Sequence, residues 1–296
     1  MMQLMPGPKD VFAQDIALTG SLALRLAGQN LRFEGLPEES ERLLPERLMG
    51  CRVPDEDFAG RHIQIEMSVR ESLRPPAGCH DLNLTSHLEY SSDKVSFQSD
   101  WCAGSFGIAK NHPVHIEIHR DSKPWFAGVL ENLARLLTAY DILHDGGVML
   151  HCAGLVKSNR ASVLFGHSGA GKSTTSEIAL DNGYSVISDD INIIEAHPDG
   201  WRVSPVPFSG TLNAMSGIKH PVPLKKIYRL HQSAEDKVVP CSTARAISLL
   251  AGSAPFINQD KYRLEQLVDV LTRLSMNVSV QDLYFTRGPA FLQHLA

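Results

Sequence analysis

The 296-residue chain has no CxxC pair, no internal repeat, no low-complexity tract and no excess of basic residues. Each absence excludes something. Five cysteines (Cys51, Cys79, Cys102, Cys152 and Cys241), odd in number and scattered, do not make a disulfide framework; they suit reduced thiols and predict a cytoplasmic protein. No run of roughly 18 apolar residues occurs, so no membrane span or membrane partner is predicted. The opening "MMQLMPGPKDVF" lacks the apolar stretch of a secretory signal. With 28 basic against 33 acidic residues the formal net charge is −5, which gives nucleic acid no general electrostatic attraction.

What is present describes a packed protein. Hydrophobic residues make up 43% and charged residues 21%, and the length suits one large domain or two ordinary ones. Residues 1 to 120 contain short alternating segments, "RHIQIEMSV" (Arg61 to Val69), "KVSFQSDW" (Lys94 to Trp101) and "VHIEIH" (Val114 to His119). Period-two alternation predicts half-buried strands and a β-rich N-terminal domain. The rhythm then changes. After Pro124, Trp125, Val129, Leu133, Leu136, Leu137 and Tyr140 recur at helical spacing until Gly146 and Gly147, which places a domain boundary near 121 and a second domain over 121–296.

That second half opens with "VMLHCAGLV" and "ASVLFG" joined by "KSNR", which reads as a hairpin. It leads into "GHSGAGKSTT", where Gly166, Gly171, Lys172 and Ser173 fill the G-x-x-x-x-G-K-[ST] pattern. Glycines let such a loop wrap closely, so that successive backbone N–H groups point at phosphate oxygens, and the helix that follows adds its positive end. Gly166, Ser168, Gly169, Ala170, Gly171, Lys172, Ser173 and Thr174 are therefore the predicted nucleotide-binding residues. The helix "KSTTSEIALDNG" is predicted to end at Asn182 and Gly183, and "YSVISDDINII" reads as a buried strand interrupted by two acids.

Asp189 and Asp190 lie 17 and 18 residues beyond Lys172 (189−172, 190−172). One carboxylate can hold a metal while the other accepts a proton from an incoming hydroxyl; the plainer reading is one metal ligand followed by a turn acid. His151 falls 15 residues before Gly166 (166−151), on the hairpin's first strand. Folding the hairpin back brings its ring toward the acid pair, although a histidine on such a strand is more often a core residue with a satisfied hydrogen bond.

Together His151, Gly166–Ser173 and Asp189–Asp190 resemble the kinase domain of HPr kinase/phosphorylase, and more broadly the phosphoenolpyruvate carboxykinase-like proteins. "PLKKIYRL" (Pro223 to Leu230) and "VSVQDLYFTRG" extend the resemblance over roughly residues 145 to 290. It implies an α/β fold: a phosphoenolpyruvate carboxykinase/HPr kinase-like P-loop core, with the β-rich α+β N-terminal domain outside it. It also implies a kinase that uses ATP and Mg²⁺ and transfers the γ-phosphate to a serine-type hydroxyl of a protein, peptide or small molecule. In that scheme Asp189 is the base, His151 sits beside it, Lys172 binds the phosphates, and Ser173 with Asp190 holds Mg²⁺. Family members often assemble, so a homo-oligomer is expected. Where the family carries a glutamate after the loop serine, this chain has Thr174, and "SPVPFSGTLNAMSGI" replaces the glycine-rich segment tied to phosphorylase activity. Acceptors other than HPr are accordingly expected. The competing expectations are a non-catalytic ATP-dependent switch and a carboxykinase-like phosphotransferase acting on a carboxylic acid.

Three further patterns read as structural. His112, His115 and His119 in "HPVHIEIH" fit a strand with one polar face better than a zinc site, and "GCHDLNLTSH" is no stronger. His167 is expected to face outward, and Arg202, Lys219, Lys225 and Lys226 are read as surface cations. Leu264, Leu267, Val268, Leu271 and Leu274 recur at helical spacing and predict a core-packing stripe.

Overall fold

The structure is a computed structural model that describes residues 20–37, 44, 46–54, 58–74, 88–99, 101–208, 210, 212 and 217–295, the side chains of residues 46 and 123–125 excepted. The opening "MMQLMPGPKDVF", Cys79, "GCHDLNLTSH" and the Trp125 ring lie outside the described residues. The chain divides into two compact units. One takes the residues up to Arg25 and Asn30–Ala134, the other Leu26–Gln29 and Arg135 onward.

The first unit carries a seven-stranded sheet of β1 (Gly20–Leu26), β2 (Gln29–Leu36), β3 (Arg61–Ser68), β4 (Leu88–Tyr90), β5 (Lys94–Gln98), β6 (Cys102–Gly107) and β7 (Val114–His119), in the order β1-β2-β3-β7-β6-β5-β4. A helical turn, α1 (Glu46–Met49), follows β2 in sequence. The alternation seen in the sequence is the alternation of burial. Ile63 and Ile65, Val95 and Phe97, and Val114, Ile116 and Ile118 are buried, each large side chain contributing about 1.5–3 kcal/mol by leaving water. Arg61 is buried among them, and its guanidinium donates to the carbonyls of Gly107 (2.9 Å) and Ile108 (3.4 Å). His119 departs from the expected polar face: it is buried, and its Nδ1 accepts the Asp121 N–H at 3.2 Å.

The long helix α2 (Phe126–His144) follows a 3₁₀ segment at Arg120–Trp125, and the two units part inside it, between Ala134 and Arg135. Val129, Leu133, Leu136, Leu137 and Tyr140 are all buried, as the helical spacing requires.

The second unit is a mixed eight-stranded sheet with helices. β8 (Val148–Lys157) and β9 (Arg160–Phe165) form the expected hairpin, closed by Ser158 and Asn159 at φ 52° and 58°. Positive φ at both central residues is what a two-residue turn needs to match the twist of the strands, and asparagine tolerates it. After α3 (Lys172–Asp181) the chain returns along β8 as β10 (Ser185–Val186) and β11 (Ile191–His197), then turns into β12 (Gly200–Ser204). β13 (Val222–Gln232), β14 (Lys237–Pro240) and β15 (Ser279–Phe285) complete the sheet, with α4 (Thr243–Ala251) and α5 (Leu264–Asn277) between the last two. β9, β13 and β15 run parallel, so Phe165, Gln232 and Phe285 end on one edge of the sheet.

Two expectations need correction here. "YSVISDDINII" is not one strand: it breaks into β10 and β11, and both aspartates lie in the break. Ser188 makes the break by accepting the N–H groups of Asp190 and Ile191 and donating to the Phe208 carbonyl at 2.6 Å, a local side-chain alternative to ladder pairing. On α5, Leu267, Leu271 and Leu274 are buried with Val270, whereas Leu264 and Val268 stay 45% and 40% exposed; the buried stripe is narrower than the spacing suggests. Among the described residues, no helix is long and apolar enough to cross a membrane.

Candidate functional site

The glycine-rich loop leaves the end of β9 and enters α3 under tight steric control. Gly171, immediately before the helix, has φ 108°, and a β-carbon there would lie 2.6 Å from the Phe285 ring; Gly169 has φ 77°. At Gly166 a β-carbon would meet the Ala170 methyl at 2.7 Å. Ala170 turns its side chain inward. Its methyl packs into the core formed by Leu164, Tyr228, Leu230, Leu283, Phe285 and Phe291, and its N–H donates to the His167 carbonyl at 3.0 Å. Gln232, at the end of β13, donates to the Gly169 carbonyl at 2.8 Å. Core packing from below and one side-chain bond from the side hold the loop's shape.

Lys172 is buried and its ammonium donates to the Gly166 carbonyl at 3.1 Å. Burial pulls its pKa below the ordinary lysine value, and the charges of Asp190 and Asp189 oppose that pull. His167, Ser168, Gly169 and Thr174 are exposed, and Ser173 is partly so.

The two aspartates face different partners. Asp189 is buried, with 3% exposure; it accepts the Ser173 hydroxyl at 3.3 Å and the N–H groups of Gly210 at 2.9 Å and Leu212 at 3.3 Å. Asp190 is 21% exposed; its Oδ1 lies 3.2 Å from His151 Nδ1 and its Oδ2 accepts from Arg135 at 3.1 Å. The structure thus brings Ser173 to Asp189 and His151 to Asp190, where the resemblance implies Ser173 with Asp190 and His151 beside Asp189. Register alone does not give this pairing: Ile191 stands opposite His151 of β8, and regular alternation would send Asp190 to the other face, so the break that Ser188 makes is what lets its carboxylate reach the ring.

Burial is the first reason that the His151 pKa falls below the ordinary histidine value, followed by the Lys172 charge. Asp190 and Asp189 pull upward, and Arg135 adds to the fall. Behind the site Cys152 is fully buried, which pushes its thiol up to about 12. Arg135 itself lies 5.2 Å over the Phe208 ring, and Phe208 is tied to the break by Ser188.

A family model described as "SynChlorMet cassette protein ScmC" matches residues 118–283, more than half of the chain. The chain belongs to the ScmC family. No curated protein matches it. The span matched by the ScmC model takes in α2, the hairpin, the glycine-rich loop, both aspartates and most of β15, so every residue of the site named in this subsection except Phe285 and Phe291 lies within it.

Within this ScmC-family chain the structure therefore gathers His151, Lys172, Ser173, Asp189 and Asp190 at one end of the hairpin. It adds residues that the sequence did not single out. Arg135 sits in a helix legible only as apolar spacing, and Gly210 and Leu212 act through backbone N–H groups, which carry no signature in sequence. Gly210 has a steric reason to lack a side chain, since a β-carbon there would lie 3.0 Å from Asp189 Oδ2 and 3.1 Å from Asp190 Cβ. Among the described residues no group of three or more His, Cys, Asp or Glu side chains is placed to hold a metal, and His112, His115 and His119 form no such cluster.

Proposed function

We propose that this chain is an ATP- and Mg²⁺-dependent phosphotransferase of the HPr kinase-like kind, built on a P-loop core, that phosphorylates a serine-type hydroxyl of a protein, peptide or small molecule. The observation that carries this reading is the division of labour between adjacent carboxylates. A buried aspartate shares a hydroxyl at the start of a helix, while its partly exposed neighbour is held by an imidazole and a guanidinium.

Ser173 and Asp189 fit Mg²⁺ as a pair of hard oxygen donors. The ion takes few protein ligands when substrate phosphates supply the rest, which agrees with the lack of a fuller cluster among the described residues. When bound, it neutralises charge that builds on the phosphate oxygens. The chain's own residues do the remaining work. Lys172 and the loop amides bind the phosphates and offset charge in the transition state, where fixed donors act most strongly. Asp190 is the carboxylate that an incoming hydroxyl can reach, and it takes the proton or orients that hydroxyl. His151 and Arg135 hold it in place. In this assignment Asp189 serves the metal and Asp190 the acceptor, as the observed partners favour.

The test is to incubate the protein with Mg²⁺ and γ-labelled ATP, alone and with an extract of its own source, and to follow the label. Label on a distinct peptide, protein or metabolite, lost in Asp190→Asn, is the expected result. Tight nucleotide binding without transfer in the presence of the acceptor would replace the kinase with a nucleotide-dependent switch.

A further inference from the structure

Beside the glycine-rich loop, on the side away from His151 and Asp190, lies a cavity of about 280 Å³ lined by Gly171, Thr174, Gln232, Ser233, Phe285 and Arg287. Two of these residues belong to the loop and the first turn of α3. The others come from the C-terminal ends of β13 and β15 and the residues just beyond, the edge of a parallel sheet where ligands bind. We propose that this cavity receives the nucleoside end of the nucleotide and that Arg287 is its recognition residue, packing its guanidinium on the base.

The inference rests on the phosphate assignment above and extends it. With the acceptor approaching Asp190 and the terminal phosphates at Lys172 and Ser173, the remainder of the nucleotide leaves the loop past the next residue along α3. That residue is Thr174, which is exposed and faces the cavity. The volume lies just under the range of whole small-molecule pockets, so it suits one part of a ligand, a base with its ribose.

Arg287 is exposed, and among the described residues it has no hydrogen-bond or ion-pair partner. The backbone that carries it is nevertheless fixed. Thr286 is held by Asp236 through both its N–H (2.8 Å) and its hydroxyl (3.0 Å), and the Ser233 N–H donates to the Phe285 carbonyl at 3.0 Å. A guanidinium on a pinned turn, with its planar face uncommitted, can stack on an aromatic base. Gln232 adds a link: it lines the cavity and also holds the Gly169 carbonyl, so a base seated there bears on the wall that supports the phosphate loop.

The experiment measures calorimetric affinity for Mg·ATP and for Mg·tripolyphosphate in the wild-type chain, in Arg287→Ala and in the cavity-filling Ser233→Trp. The expected result is that both variants lose about tenfold or more in ATP affinity and keep wild-type affinity for tripolyphosphate. Equal losses for both ligands in Arg287→Ala would place that arginine on the phosphates and overturn the proposal, as would unchanged ATP affinity in both variants. A wild-type chain that binds neither probe would instead remove the nucleotide reading on which the proposal stands. A folded wild type with strong tripolyphosphate binding and no preference for ATP would remove the nucleoside site alone.

Discussion

His151 Nδ1 lies 3.2 Å from Asp190 Oδ1, while Asp189, one residue earlier, turns its carboxylate into the protein to meet Ser173. Neighbouring identical residues are thereby given different exposures and different partners, and the difference can be measured. Asp189→Asn is expected to weaken Mg²⁺-dependent nucleotide binding. Asp190→Asn is expected to leave that binding near wild type and to lower transfer by at least about 100-fold, the lower end of what a positioned proton acceptor contributes. Titration of Mg·ATP beside single-turnover transfer separates the two; the reverse pattern would restore Asp189 as the base.

Lys172 contributes a buried ammonium at the loop. Its replacement by alanine removes a charge-assisted bond to phosphate of about 1.5–3 kcal/mol, so ATP affinity is expected to fall roughly 10- to 100-fold. Unchanged affinity in a folded Lys172→Ala variant would rule out the loop as the phosphate site.

Gly171 and Gly169 both have positive φ, but only Gly171 has a neighbour in the way of a β-carbon, the Phe285 ring at 2.6 Å. Gly171→Ala therefore meets both a strained backbone and a clash. It is expected to lose about 1–3 kcal/mol of stability. Gly169→Ala meets only the first and should lose less. Urea melts of the two variants give the comparison; equal losses would mean that the Phe285 contact costs nothing.

Ser188 uses one hydroxyl to donate to Phe208 and to accept from Asp190 and Ile191. Ser188→Ala leaves those buried groups short of a partner, and a loss of about 1–3 kcal/mol is expected. Because the same hydroxyl shapes the break that presents the acids, transfer should fall with stability. A variant that melts earlier but transfers at the wild-type rate when folded would show that the break holds its shape without it.

Cys102 and Cys152 are buried, with thiols pushed up to about 11 and about 12. The unfolded chain releases these protons near pH 8.5 whereas the folded chain keeps them. Stability from this source is therefore complete below about pH 8.5 and is lost as pH rises toward the folded values. Denaturant midpoints at pH 8 and pH 10 should show the decline, and Cys152→Ala should make it shallower. Mass-mapped alkylation of the native chain at pH 8 should spare Cys102 and Cys152.

How much of this was legible in the sequence depends on whether a feature is written in adjacent residues. The alternation in β3, β5 and β7, the hairpin turn at Ser158 and Asn159, and the capped helix ending at Asn182 and Gly183 are local, so composition and spacing determined them. Gly166, Gly171, Lys172 and Ser173 also stand in one short run, and their chemistry follows from their order. The sequence brought Asp189 and Asp190 into view for the same reason. Which of them meets Ser173 and which meets His151 was decided by the turn that Ser188 makes, since the register that pairs Ile191 with His151 would by regular alternation send Asp190 to the other face. Arg135, the backbone N–H groups of Gly210 and Leu212, and the cavity at Arg287 come from separate parts of the chain and carry no local signal. Only the tertiary structure could assemble them, because a site built from backbone donors and strand ends exists in the packing and not in the order of residues.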